Sequence, residues 1–175
     1  GREAPTDRPA RVLPSVGFPW GHTMTFSELL EQGKQAKVRE HKDITVLVNG
    51  EPVVLRVHEI PSYDWAALTT KHPPRPGATA DWLGYNVTAV SVEALEHDGG
   101  LSVVEGEKVT KVTAKQWQTL RDLLSGVEMG NLADAAFWLN DWLPRNRIVE
   151  AKKASAGDSK KSSSSPANSE SPSEG

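Results

Sequence analysis

The chain has 175 residues, a formal net charge of -3 and no cysteine. That length holds one ordinary domain with flanks, and the absent thiols exclude a disulfide framework, a thiolate metal site and a cysteine nucleophile. The mildly acidic balance is wrong for neutralising phosphates, and no segment approaches the roughly 20 apolar residues that span a bilayer, so the sequence predicts a soluble intracellular chain with neither nucleic acid nor membrane as partner.

Residues 1–23 carry four prolines and no sustained periodicity, which reads as an irregular or disordered arm. Met24 stands directly before a helix signal and is the expected natural start; mass spectrometry of the natively expressed N-terminus tests this, and a mature chain starting well before Met24 contradicts it. Thr25 and Glu28 form the T-x-x-E capping pattern, in which each side chain bonds the other residue's amide. A short helix follows, apolar through Phe26, Leu29 and Leu30 and then strongly charged.

In "DITVLVNGEPVVLRVHEI" two β-branched runs flank Asn49-Gly50, the pair that best tolerates both positive φ angles of a type I′ turn. The two-residue loop predicts the register: Val48 opposite Glu51, Val46 opposite Val53 and Ile44 opposite Leu55 on the core face. Asp43 opposite Arg56 makes an ion pair on the other face. Pro52 opposes Leu47 in a non-hydrogen-bonded pair, so its missing amide would have faced a third strand, and the second strand is expected at an edge there.

Pro61 and Ser62 start a helix carrying Trp65 and Leu68, which "KHPPRPG" ends. Trp82, Leu83 and Tyr85 read as a buried anchor. Residues 86–96 suit helix or strand, with an Asn86 cap tipping them to helix; Gly99-Gly100 breaks the chain, and "LSVVEGEKVTKV" forms a small hairpin or an extended connector. A second capping pattern, Thr113 with Gln116, opens a helix with Trp117, Leu120 and Leu124, and Gly126 sits where a left-handed stop is expected. "SGVEMG" links this helix to a last one over about 131–143, which Pro144 closes. Beyond it "AKKASAGDSKKSSSSPANSESPSEG" has no apolar side chain larger than alanine to offset an ordering cost of about 1–2 kcal/mol per residue. The fold class is α+β: an N-terminal β-hairpin (about 43–48 and 53–59) packed with several short helices, a C-terminal helical hairpin and disordered termini. One domain over 24–148 is expected, followed by a disordered Ser/Lys-rich tail over 149–175.

Five histidines (His22, His41, His58, His72 and His97) lack ligand spacing and read as surface residues. Glu93, Glu96 and Asp98 read as a solvated helix end. There is no phosphate-binding glycine loop, dinucleotide fingerprint or nucleophile elbow, so no catalytic, cofactor or metal site is expected. Six tryptophans remain to be explained. Trp65, Trp82 and Trp117 lie on faces their own elements need for a core. Trp138 and Trp142, four apart and offset from the stripe of Leu132 and Leu139, extend the apolar surface with Phe137 beyond one core face; these three are the candidate partner-binding residues, because tryptophan is enriched where interfaces carry their energy.

From about Thr25 onward the chain resembles the tail assembly chaperones of long-tailed phages of Actinobacteria. The resemblance rests on "VLVNGEPVVLRVHEIPSYDW", "ADWLGYN" and "TAKQWQTLRDLLSGVEMGNLADAAFWLN" in that order over about 120 residues. The arm before Met24 and the strand-like "HDGGLSVVEGEKVTKV" depart from the family pattern. The resemblance implies a non-enzymatic protein that binds the tape measure protein, limits its aggregation and helps recruit the tail tube protein. It implies a place in the host cytoplasm during assembly and absence from the mature virion. It also implies a longer product made by ribosomal frameshifting, for which Lys152-Lys153 and Lys160-Lys161 are candidate slip positions. A structural minor tail or connector protein, and a small bacterial adaptor, are the alternatives.

Overall fold

The computed structural model describes residues 23–36 and 39–161, so all but the last residue of the arm expected over 1–23, and the tail beyond residue 161, lie outside the described residues. The chain divides into two units, 1–38 and 39–175. The first contributes helix α1 (Phe26–Ala36), opened by the expected box: the Thr25 amide donates to Glu28 Oε2 at 2.7 Å and the Glu28 amide to Thr25 Oγ1 at 3.3 Å.

In the second unit, Asn49 and Gly50 take φ of 53° and 83°, the turn that joins β1 (His41–Val48) to β2 (Glu51–His58). The register is the expected one throughout, from His41 opposite His58 to Val48 opposite Glu51. Arg56 Nε and Nη2 donate to Asp43 at 2.7 and 2.9 Å. After α2 (Ser62–Lys71) and α3 (Val87–Glu96), "LSVVEGEKVTKV" folds as a hairpin of β3 (Leu101–Glu105) and β4 (Lys108–Lys111). β3 joins β2, giving an antiparallel sheet ordered β1-β2-β3-β4. The expected edge position of β2 is therefore corrected: it is interior. The proline argument survives locally, because β3 pairs only with residues 54–57 and stops short of Pro52.

One face of the sheet is half-solvated and the other carries the core. Val46, Leu55, Val57 and Leu101 bury against Val90, Ala94 and Leu95 of α3 and against Leu132, Ala135 and Ala136 of helix α5 (Gly126–Phe137). The alanines let backbones approach closely. Gly100 marks the tightest point, since a Cβ there would lie 2.3 Å from the Ala94 carbonyl oxygen. The helix reading of 86–96 holds, with Asn86 Oδ1 accepting from the Ala89 amide at 3.1 Å.

Helix α4 (Ala114–Leu123) begins with its capping box, but Gly126 does not stop a helix. Ser125 and Glu128 form a further box, so Gly126 is the first residue of α5 and the linker is only Leu124 and Ser125. Pro144 also fails to close the last helix. A wide π turn over Trp138–Trp142 passes α5 into α6 (Leu143–Lys161), with the Leu143 amide reaching five residues back to the Trp138 carbonyl. α6 continues the wide turn without a break, so Pro144 lies inside a continuous helical run whose widened preceding turn makes room for its ring and its missing donor. The segment expected to be unfolded from residue 149 is helical to Lys161. Burial does not sustain it: residues 147–157 are exposed. Propagation from an existing helix avoids the nucleation penalty of about 10⁻³, and "RIVEAKKASA" contains no glycine or proline.

Candidate partner-binding surface

The π turn decides where the C-terminal aromatic side chains go. Widening the helix by one residue per turn turns the consecutive Asn140 and Asp141 toward the protein. Asn140 Oδ1 accepts the Ile60 amide at 2.9 Å and its Nδ2 donates to the Ala136 carbonyl at 2.8 Å, which ties the helix to the end of β2. Asp141 Oδ2 accepts the Tyr85 hydroxyl at 2.7 Å, and Asp141 Oδ1 accepts Arg145 Nε at 2.9 Å. Burial, followed by the Asp141 carboxylate, pushes the Tyr85 hydroxyl far above its ordinary value.

The three predicted residues do not share one environment. Phe137 is half-buried. Trp138 packs against the core and lies under Lys42 Nζ, 5.3 Å from its ring centroid, so β1 already uses much of it. Trp142 is 46% exposed, and Val149, seven residues on and so on the same side of the helix, is 43% exposed, whereas Ile148, 56% exposed, lies about a third of a turn away. The candidate surface is thus led by Trp142 and extends onto α6, a continuation hidden when Pro144 is read as a stop.

The other tryptophans split. Trp65 and Trp117 are buried as expected, Trp65 edge-on to Tyr85 with 6.2 Å between centroids. Trp82 is not: it is 71% exposed. Asp81 and Tyr85 take the inward positions of that loop, where Asp81 receives Arg75 Nε and Nη2 at 2.9 Å each and the Arg75 amide at 2.8 Å. Arg75 holds the Asp81 carboxyl down at about 2.

Between α4 and the core face of the sheet runs an open apolar groove of about 480 Å³. Val48, Val53, Leu55, Val103, Leu120 and Leu123 line it, with Glu105 and Lys115 as its charged members. No sequence argument pointed to it, because it exists only where β3 joins β2 and α4 crosses the sheet.

The polar candidates are structural fasteners. Glu93 accepts from Lys71 and His72 across the join of α2 and α3, and these bonds, Lys71 first, lower its carboxyl. Glu96 Oε1 receives Trp117 Nε1 at 3.2 Å and Arg121 Nη1 at 3.1 Å from α4, and Asp98 pairs with Lys111 of β4, which lowers it. Glu96 and Asp98 keep the solvent exposure expected of a helix end, while Glu93 is part-buried, and all three also carry these bonds. His58, His72 and His97 are half-buried rather than superficial, bonded to Ser102, Glu93 and Asp64. Among the described residues no group of three or more His, Asp or Glu is placed to hold a metal ion, and no helix is long and apolar enough to cross a membrane.

Comparison of the chain with protein-family models, curated proteins and solved structures finds no match.

Proposed function

We propose that this protein is a non-catalytic tail assembly chaperone whose surface around Trp142, continued by Val149 on the same side of the helix, binds the tape measure protein and thereby promotes tail tube assembly. The observation that carries the reading is that exposed apolar surface, joined to the ordered resemblance of "VLVNGEPVVLRVHEIPSYDW", "ADWLGYN" and the C-terminal helices. A half-exposed tryptophan with an exposed valine two turns on along the same side of a helix is the kind of anchor that a long helical partner covers. The chaperone works in the host cytoplasm and leaves before the virion is complete, and a longer frameshifted form engages the tail tube protein. α6 gives such a form a helical stem.

Co-purification with a tape measure protein of a long-tailed phage tests the reading. Trp142→Ala combined with Val149→Ser lowers recovery at least about tenfold while the circular dichroism spectrum is kept. Unchanged recovery removes this surface from the account. Mass spectrometry of purified virions separates the chaperone, which is absent, from a minor tail component, which is present.

A further inference from the structure

At the end of the first hairpin away from its turn, His41 of β1 stands opposite His58 of β2, and nothing in the function proposed above uses this pair. The His58 amide donates to the Gly100 carbonyl at 2.9 Å rather than to His41, and the Glu59 amide donates to the Glu40 carbonyl at 2.9 Å. The two histidines therefore form a non-hydrogen-bonded pair, the kind whose side chains stand closest in an antiparallel ladder. Their imidazole centroids are 6.1 Å apart, with the ring planes tilted by 52°. Spacing along the chain does not reveal the pair, because the hairpin lies between its members.

Two imidazoles held this close on one ladder can chelate an ion. With metal–nitrogen bonds of about 2.0–2.1 Å, rings that share one ion have centroids roughly 5–6 Å apart, so a small side-chain rotation closes the observed separation. His41 is exposed and His58 half-buried, which leaves the solvent side open to an ion and to the waters that complete its shell. Ser102 Oγ lies 3.0 Å from His58 Nε2; with that nitrogen donating to the hydroxyl, Nδ1 is left for the ion and the ring is held from behind, as ligating histidines are. Ser102 is itself buried in the sheet, so this support is fixed. Arg56 and Lys111, the cations of β2 and β4 on the same face, are each matched by a carboxylate, Asp43 and Asp98, so neither repels an incoming ion in full. Arg39 is exposed and screened by water.

The geometry points to a two-histidine site, His41 with His58, for a divalent transition-metal ion of the zinc, nickel and copper class, with water in the remaining positions. Neutral imidazole suits these ions and not Mg²⁺ or Ca²⁺, which take oxygen ligands. Two protein ligands, against the three or four of dedicated zinc centres, make the ion exchangeable. Once bound, it ties the start of β1 to the end of β2 and stabilises the native chain, because the pair is assembled only there.

Titration of the full chain, without an affinity tag, with Ni²⁺ at about pH 7.5, where both imidazoles are neutral, tests this by calorimetry and by the thermal midpoint. The wild type takes up one ion saturably by about 1 mM, its midpoint rises, and excess Mg²⁺ does not compete. His41→Ala, a change at an exposed side chain that keeps the circular dichroism spectrum, weakens binding at least about tenfold and loses the rise in midpoint. His58→Gln, which keeps a polar group for Ser102, does the same, and His22→Ala binds as the wild type does. A wild type that takes up no ion by about 1 mM overturns the proposal, as does a loss of less than about tenfold in either His41→Ala or His58→Gln, or an equal loss in His22→Ala.

Discussion

Pro52 in β2 and Pro144 at the start of α6 pose the same problem, a missing amide inside a repeating hydrogen-bond pattern, and the two regions answer it differently. At Pro52 the ladder is simply left vacant: β3 pairs with β2 only from Val54 to Val57 in β2 numbering, and the hairpin keeps its register. Around Pro144 the helix changes pitch instead, and that change re-aims every side chain from Trp138 to Trp142. A sheet absorbs a proline without moving its neighbours' side chains, whereas a helix absorbs one by redistributing them. In this protein the redistribution sends Asn140 and Asp141 inward to hold the fold and leaves Trp142 outward.

The largest test of that contrast is Asn140→Leu, which strips the Ile60 amide of its acceptor and is expected to cost about 2–3 kcal/mol in urea unfolding. Tyr85→Phe removes one hydrogen bond to the Asp141 carboxylate and costs about 1.5 kcal/mol by the same measurement. Acid sharpens the comparison with the Trp82 loop. The Asp81 carboxyl is lowered from 3.8 to about 2, so its share of stability is fully present above pH 3.8 and lost as the pH falls through about 2. Thermal midpoints should drop across that window, and Asp81→Asn should flatten this part of the profile. The smallest effect is expected at Pro52→Val, within about 0.5 kcal/mol of wild type, because no strand reaches that position from β3. A loss above 1 kcal/mol there would mean that Pro52 does more than occupy a vacant rung.

What was legible in the sequence follows the range of the forces involved. Asn49-Gly50, the Asn86 cap and the capping boxes at Thr25 and Thr113 are contacts within a few residues, and each element they specify is present. The box of Ser125 with Glu128 was equally local but was masked by reading Gly126 as a stop; Glu128 also accepts the Leu47 amide at 2.6 Å, a long-range contact that blunts the exposed edge of β1. The pairing of β3 with β2, the outward turn of Trp82 and the passage through Pro144 depend on which neighbours take the inward positions. Of the candidate surface, Trp142 was legible; the partial burial of Trp138 under Lys42 and the extension to Val149 were not.

The central claim, that the π turn separates side chains holding the fold from the one that meets a partner, is tested most directly by measuring unfolding free energy and affinity for the tape measure protein side by side in Trp142→Ala. The account predicts a binding loss of at least about tenfold with a stability cost near 1 kcal/mol, smaller than that of Asn140→Leu. Wild-type affinity in Trp142→Ala, or a stability loss equal to that of Asn140→Leu, would contradict it.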